Sequence, residues 1–292
     1  MKVLLAGAYG NLGSDILRAL CKTDYEIIAA GSHPHELDGV DASRFDTRKI
    51  DVTNPASLEG ICDGVDVVIT TVGLTKASAT LNNYDIDYHG NLNLLNEAKK
   101  ASVKHFAYIS VINADKGDGV PMVNSKFLME EELKKGGIDY VIYRPTGYFY
   151  DIAKVFLPMI EKGEVQLLKV KPEPSCNVVD TPDFAQFIVD TMCDKNKTYN
   201  VGGKETYTYR EIAEMFFKAG GKECNIKTVP AFTMGLLANL PKIKKEGKRD
   251  VILFSKFTLT TDCVGDTIVG DRSFKEYIES GEYLAKYNAT KK

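Results

Sequence analysis

Short apolar runs alternate with amphipathic segments through the first half of the chain. Such a run is typical of a strand that is buried on both faces of a parallel sheet. The pattern predicts strands at residues 3–6, 27–30, 45–51, 65–71, 106–110 and 140–143. The third run differs from the others, since its apolar residues alternate with charged ones.

Amphipathic helices are predicted between these strands. Apolar residues recur at helical spacing within residues 11–21 and 82–101. Pro55 suits the first turn of a further helix that opens after Asn54. Because strands and helices alternate with short connections, the sequence predicts an α/β fold, a Rossmann-type doubly wound parallel sheet with right-handed crossovers.

The pattern changes after Pro145. Prolines interrupt the next segment, and helices are predicted at residues 181–192 and 208–219 without a regular alternation of strands. We therefore predict a Rossmann domain at residues 1–150. Residues 151–292 are predicted to form a smaller α+β substrate-binding part that is interleaved with the first and does not fold independently. An apolar helix at residues 232–240 suits a lid, a core element or a dimer face, and both a monomer and a homodimer stay open.

Composition excludes several classes of partner. The 292 residues hold 37 Lys and Arg against 40 Asp and Glu, a net charge of -3. This balance offers no basic surface to nucleic acid and no field toward an anionic membrane, so we expect neither as a partner. The six cysteines form no CxxC pair and the four histidines complete no zinc pattern, so we expect no metal site. Scattered cysteines and a first apolar run too short for a signal or a membrane span favour the cytoplasm.

A glycine-rich turn joins the first predicted strand to the first helix. Gly7 permits a tight turn, Gly10 lets the backbone approach a diphosphate, and Gly13 lets the helix pack on the strand. The helix then offers unpaired N–H groups and its positive dipole end to the phosphates. A ligand-free structural turn is the alternative. The residues predicted to bind a dinucleotide here are Gly7, Tyr9, Gly10, Asn11, Leu12 and Gly13.

The end of the second strand is where dinucleotide folds bind the adenosine ribose. Ser32 and His33 stand there in place of the acidic residue that binds a 2′-hydroxyl, which favours NADP(H) and leaves NAD(H) open. No Arg or Lys lies in that turn. Asp51 and Val52 close the third strand, where a carboxylate can meet the adenine amino group. An aspartate that only precedes a helix is the other interpretation.

Several motifs together resemble the extended and atypical short-chain dehydrogenase/reductases. The closest resemblance is to the branch of NmrA-like and divinyl chlorophyllide reductase-like proteins, and it covers about residues 1–220. It implies an NAD(P) cofactor that is contacted also by Thr71, Val72, Gly73 and Pro145. The motifs are GxxGxxG, Asp51-Val52-Thr53, Thr71-Val72-Gly73, and the segments 84–95, 103–110, 143–149 and 200–203.

The resemblance also identifies candidate catalytic residues. Family members use a serine, a tyrosine and a lysine four residues after the tyrosine, and here Ser110 and Lys126 match the serine and the lysine. Met122 replaces the tyrosine, and a thioether donates no proton. Either another group protonates the substrate or the protein does no proton chemistry. The candidate donors are Tyr148, Tyr150, Ser110, Lys126 and water. Each candidate also has a purely structural interpretation. Tyr148 could pack in the cleft wall, Ser110 could cap a strand, and Lys126 could lie on the helix surface.

These residues favour an NAD(P)H-dependent reductase. Hydride would pass to an activated C=C or C=O bond of a small, planar molecule, with protonation from solvent. A non-catalytic NAD(P)-sensing regulator that binds a protein partner, as some NmrA-like proteins are, is the alternative, and Met122 supports it. Epimerase chemistry and a flavin in place of the nicotinamide are further possibilities.

Overall fold

The computed structural model describes residues 1–74, 81–245 and 248–289. Its main feature is an eight-stranded parallel sheet with the order β12-β9-β6-β5-β4-β1-β2-β3. Helices flank this sheet, so the predicted Rossmann-type α/β fold is confirmed. The strands are β1 (Lys2–Ala6), β2 (Glu26–Gly31), β3 (Asp46–Lys49), β4 (Val67–Thr70), β5 (His105–Ile109), β6 (Asp139–Pro145), β7 (Val165–Lys169), β8 (Ser175–Cys176), β9 (Lys197–Gly202), β10 (Tyr207–Thr208), β11 (Ile226–Pro230) and β12 (Thr267–Ile268).

The chain divides into two compact units, residues 1–144 with 181–199, and residues 145–180 with 200–292. The first unit contains strands β1 to β5 and the apolar core that is packed on them. Leu4, Val68 and Phe106 on adjacent strands are fully buried together with Leu94 and Met129. Burial on both faces explains why these strands appear in the sequence as continuous apolar runs. The α-helices of the chain are α1 (Asn11–Leu20), α2 (Asn91–Lys100), α3 (Pro121–Lys134), α4 (Phe149–Glu161), α5 (Thr181–Thr191), α6 (Tyr209–Ala219), α7 (Phe232–Ala238), α8 (Pro241–Lys245), α9 (Arg249–Thr260), α10 (Phe274–Ser280) and α11 (Tyr283–Ala289).

Two helices differ from their predictions. The segment after Asn54 forms only a 3₁₀ turn, Pro55–Leu58. The helix predicted at residues 82–101 starts as a π-helix, Tyr84–Gly90, and continues as α2. The buried amide of Asn91 explains the wider turn, since its Nδ2 donates to the carbonyls of Ile86 and Asp87, within the π-helix, and to that of Val72.

The second unit has an aromatic core. Phe149 and Phe156 lie there in ring contact with Phe274 and Phe216, respectively, and are 2% exposed, so they are core residues. Its strands β10 and β8 pair antiparallel, and β11 and β7 pair parallel. Phe232 on α7 is 65% exposed, so the predicted apolar helix there is not a core element. All six cysteines are free thiols. Among the described residues, each helix is too short or too polar to span a bilayer.

Candidate functional site

The glycine turn between β1 and α1 is packed tightly against the end of β4. Gly7 has φ +84°, and a Cβ there would lie 2.4 Å from the Oγ1 atom of Thr71. That hydroxyl donates to the Gly7 carbonyl over 3.1 Å. A Cβ on Gly13 would lie 2.0 Å from the same carbonyl oxygen. Both positions therefore require glycine, as predicted from the sequence, because a side chain would displace backbone.

Gly10 is the N-cap of α1, a position at which helices commonly bind anions. Among the residues that the structure describes, no side chain caps this helix, and its first turn holds no acidic residue. The backbone at Gly10 is extended, and a Cβ there would meet only the Gly7 carbonyl, at 3.4 Å. The amides at Asn11 and Leu12 thus begin a helix beside open space, which is the arrangement that binds phosphate oxygens. The diphosphate of a dinucleotide therefore stays the ligand predicted for this turn.

The predicted adenosine end lies beside this turn. The ring of Tyr9 covers Gly31 at the end of β2, and its Oη lies 3.0 Å from Thr47 Oγ1 on β3. Ser32 and His33 follow and are exposed, with Ser32 Oγ 3.0 Å from His33 Nδ1. Both side chains are therefore open to solvent at the end of β2, where the adenosine ribose is predicted to bind.

Asp51 and Val52 have local roles in this structure. The Asp51 carboxylate accepts hydrogen bonds from the backbone N–H and the hydroxyl of Thr53, at 3.0 and 2.7 Å. Val52 is buried, and its Cγ2 is 2.6 Å from the place of a Cβ on Gly90. Asp51 remains exposed, so its second oxygen keeps the predicted capacity to meet an adenine amino group.

The carboxyl end of β4 brings further predicted residues together. The amide of Val72 donates to Thr70 Oγ1 over 3.2 Å. A Cβ on Gly73 would lie 2.9 Å from Asp87 Oδ1 and 3.2 Å from Lys126 Nζ. Gly73 thus lets the chain pass directly over the Lys126 side chain. The predicted cofactor residue and the predicted catalytic residue lie at one edge of the sheet.

Lys126 is held by a buried ion pair. Its Nζ lies 3.0 Å from Asp87 Oδ1, and it also donates to the Ile109 carbonyl over 3.3 Å. The lysine side chain is 17% exposed and the aspartate 1%. The same Nζ lies 5.7 Å from the ring centre of Tyr108. Burial raises the pKa of Tyr108 well above its ordinary value, and the Asp87 and Glu130 carboxylates add to this, so the phenol stays protonated. The partners of Lys126 show that it is not an ordinary surface lysine.

Ser110 belongs to a second buried network. Its hydroxyl donates to Glu130 Oε1 over 2.5 Å, and Glu130 is completely buried. Arg144 binds both carboxylate oxygens of Glu130, at 2.9 and 2.6 Å, and also contacts Asp115 at 3.2 Å. Glu130 was not among the residues predicted from the sequence. Its spacing of four residues from Lys126 was the available signal, since this places both side chains on one face of α3.

The remaining candidates lie elsewhere on the chain. Met122 lies in the first turn of α3, one helical turn before Lys126. Pro145 and Tyr148 belong to the second unit, where Pro145 ends β6 and Tyr148 precedes α4. Burial raises the pKa of the Tyr148 phenol, and the nearby Asp151 carboxylate raises it further. That environment opposes ionisation of Tyr148, whereas the family tyrosine is activated by a lysine.

Comparison with known proteins identifies the family. The model of the NAD(P)H-binding family matches residues 7–194, more than half of the chain. The chain belongs to this family. The resemblance to the extended and NmrA-like short-chain dehydrogenase/reductases is confirmed with it, and so is NAD(P)H as the class of cofactor.

Three similar proteins illustrate the range of the family. The chain is 27% identical over 279 residues to the chloroplastic divinyl chlorophyllide a 8-vinyl-reductase of Arabidopsis thaliana, covering 83% of this chain and 64% of that one. It is 22% identical over 244 residues to the photosystem II assembly factor Ycf39 of Trieres chinensis, covering 82% and 76%. The Escherichia coli NADPH-dependent quinone oxidoreductase QOR2, solved with NADPH, has the same fold, with a TM-score of 0.73, 19% identity and coverage of 95% and 99%.

Proposed function

We propose that this protein is an NAD(P)H-dependent reductase that transfers hydride to an activated C=C or C=O bond of a small, planar molecule. The observation that carries the proposal is Lys126, whose ammonium group is fixed at the edge of the sheet beside Gly73 by Asp87 and the Ile109 carbonyl. In the family that the chain resembles, a lysine at this position binds the nicotinamide ribose and so helps to place the ring that donates hydride. Bound NAD(P)H would supply the hydride.

Different residues bind the diphosphate and the nicotinamide ribose of the cofactor. The turn at Gly7, Gly10 and Gly13 holds the diphosphate through backbone amides and orients the cofactor. Lys126 binds the nicotinamide ribose, as in the family it resembles. Asp87 holds the ammonium group in place through an ion pair of 3.0 Å.

The source of the proton follows from two side chains. Met122 occupies the position of the family tyrosine and has no proton to give. The Ser110 hydroxyl directs its hydrogen to Glu130, so its oxygen is an acceptor toward any ligand. Both features favour an electron-poor acceptor, for which hydride transfer leads and water supplies the proton afterwards. A relative named as a vinyl reductase, which by its name acts on a C=C bond, agrees with this choice.

A second candidate function is a non-catalytic NAD(P)-sensing regulator that binds a protein partner. Met122 in place of the family tyrosine supports it, as does the relative named as an assembly factor. Such a protein binds the cofactor tightly and turns over no acceptor. The two proposals therefore differ in one measurable property.

The experiment is NADPH oxidation with a panel of acceptors. Quinones, enones and vinyl-substituted tetrapyrroles are mixed with the protein and followed at the nicotinamide absorbance. We expect turnover of at least one acceptor, and Lys126→Ala should lower kcat by about tenfold to a hundredfold, which is the contribution of a positioned catalytic group. Lys135→Ala, an exposed lysine on the C-terminal side of α3, is the control. Saturable NADPH binding without turnover of any acceptor would favour the regulator.

A further inference from the structure

The strand next to β2 carries a cation that the sequence analysis did not connect with the cofactor. In the parallel pairing of β2 with β3, Gly31 lies opposite Lys49 and Ala29 opposite Thr47. Paired residues share a face of the sheet, and faces alternate along a strand. Tyr9 contacts this face, since its ring covers Gly31 and its Oη lies 3.0 Å from Thr47 Oγ1. Lys49 therefore lies on the same face as Tyr9, at the end of the strand.

Gly31 begins the turn in which a carboxylate would bind a 2′-hydroxyl, and Ser32 and His33 follow it. A Cβ at this residue would lie 2.9 Å from the Cδ2 atom of Tyr9. An aspartate or glutamate fits here only if the tyrosine ring moves away. Tyr9 therefore disfavours a carboxylate at Gly31, and without one no negative side chain at this residue would repel a 2′-phosphate.

The turn after Gly31 presents polar groups beside this face. Ser32, His33 and Lys49 are all exposed. The turn is ordered by its own contacts, since His35 Nδ1 lies 3.1 Å from the His33 carbonyl oxygen and the His35 ring is 5.4 Å from that of Tyr9. Within the described part of the chain, Lys49 has neither a hydrogen bond nor an ion pair. Its charge is available to a ligand.

Arg48, the preceding residue, has the opposite environment. It pairs in register with Ala30, whose side chain belongs to the buried apolar cluster on the other face of the sheet. Its guanidinium lies 3.6 Å from Asp46. Two adjacent cations thus lie on opposite faces, and only Lys49 shares a face with Tyr9.

We propose that Lys49, with Ser32 and His33, forms the subsite for the 2′-phosphate of NADP(H). Lys49 supplies the positive charge that the turn itself lacks, and Ser32 and His33 supply hydrogen-bonding groups. A lysine binds phosphate as a point charge on a flexible stem, so its approach from a neighbouring strand is sufficient. This assignment specifies which form of the cofactor is bound. It rests on the cofactor binding of the family and does not depend on the reduction proposed above.

The test is a set of equilibrium titrations with the full chain. NADPH and NADH are compared, as are 2′,5′-ADP and 5′-AMP, which differ from each other in the 2′-phosphate. We expect Lys49→Ala to weaken the binding of NADPH and 2′,5′-ADP by about fivefold to tenfold, and that of NADH and 5′-AMP by less than about twofold, as expected for one partly exposed charged contact. Arg48→Ala makes the same change in charge one residue away and should leave all four affinities within about twofold.

Three results would overturn the proposal. Wild-type protein without a preference for 2′,5′-ADP over 5′-AMP has no such subsite. An equal loss for phosphorylated and unphosphorylated ligands in Lys49→Ala means that the substitution disturbs the loop. An equal effect of Arg48→Ala means that only the general field of the surface acts. The acceptor panel can fail while these affinity ratios hold, and the reverse is equally possible, so the subsite and the reductase are tested separately.

Discussion

The Nζ atom of Lys126 lies 3.0 Å from Oδ1 of Asp87, and both side chains are largely withdrawn from solvent. The other carboxylate oxygen of Asp87 accepts hydrogen bonds from the Leu74 amide and from Asn83 Nδ2, at 3.0 and 3.1 Å. The ion pair therefore joins the π-helix, α3 and the segment after β4. It supports the fold and also places a charge where the cofactor is expected to bind.

Removing either member of this pair should destabilise the protein. Asp87→Asn leaves a cation with one carbonyl partner, and Lys126→Met leaves an uncompensated buried carboxylate. We expect a coupling free energy of about 1–3 kcal/mol from a double-mutant cycle measured by urea unfolding. The exposed pair Arg48 and Asp46 is the control, and its coupling should stay below about 0.5 kcal/mol. Coupling of the Asp87 pair as small as that of the control would contradict this view of the site.

Glu130 should contribute more to stability than Ser110, whose hydroxyl donates a hydrogen bond to it. Glu130→Gln keeps the shape of the side chain and leaves Arg144 without its buried counter-ion, at a cost of about 2–4 kcal/mol in the free energy of unfolding. Ser110→Ala removes one hydrogen bond to a charged acceptor and should cost about 1–2 kcal/mol. Because the two residues share a bond, their effects should not add. Glu131→Gln, at the neighbouring exposed position, should change stability by less than about 0.5 kcal/mol. Loss of less than 1 kcal/mol in Glu130→Gln would show that the network is not the structural support described here.

The glycine turn was predictable because its geometry restricts residue type. Gly7 and Gly13 lie where any Cβ would meet backbone or a fixed hydroxyl, so the requirement is visible in the sequence itself. The buried strands were predictable for a similar reason, since burial on both faces leaves a run of apolar residues. Their ends differed from the prediction by one or two residues, as for β4, where pairing with neighbouring strands decides the boundary.

Features that depend on distant contacts were not predictable. The π-helix at Tyr84–Gly90 forms where the Asn91 amide bonds the Val72 carbonyl, and helical spacing of apolar residues carries no trace of that bond. The orientation of Lys49 follows from the register of β3 against β2, which becomes known only once the strands pair. The roles of Ser110, Lys126 and Tyr148 in a reaction stay predictions.

Substitutions at Gly10 test whether the start of α1 binds the diphosphate, and they distinguish an effect on binding from an effect on folding. Its backbone is extended, at φ −78° and ψ 173°, so other residues adopt it without strain. Aspartate is a better helix N-cap than glycine by a few tenths of a kcal/mol, so Gly10→Asp should keep or slightly raise stability. Its negative charge would lie against the diphosphate, and the affinity for NADPH should fall by about thirtyfold to a hundredfold, which corresponds to roughly 2–3 kcal/mol of charge repulsion at a helix-terminal anion site.

Gly10→Ala is the matched control, since it adds the same Cβ without the charge. We expect it to weaken NADPH binding far less than Gly10→Asp does. Thermal unfolding and NADPH titration on the same samples give both readouts. Unchanged NADPH affinity in Gly10→Asp would show that the start of α1 does not hold the diphosphate.

Asp66 should make stability dependent on pH in the acid range. The carboxylate accepts from the Lys2 backbone N–H at 3.0 Å and from Lys104 Nζ at 3.1 Å, and these contacts, the backbone one first, lower the pKa of Asp66 in the folded state. A lowered pKa means that the folded state binds the proton less tightly than the unfolded state does. The contribution is therefore fully present above the ordinary pKa of about 4 and is lost as pH falls through the folded-state value.

Because Asp66 is 35% exposed and screened by salt, Asp66→Asn should lower Tm by only about 1–2 °C at pH 7. The difference in Tm between Asp66→Asn and wild type should shrink below pH ~4. Lys104→Met should lower Tm by less than Asp66→Asn does, since the hydrogen bond from the Lys2 amide remains. A Tm difference that stays constant from pH 7 down to the acid limit would mean that the charge of Asp66 contributes nothing and that the substitution acts through packing.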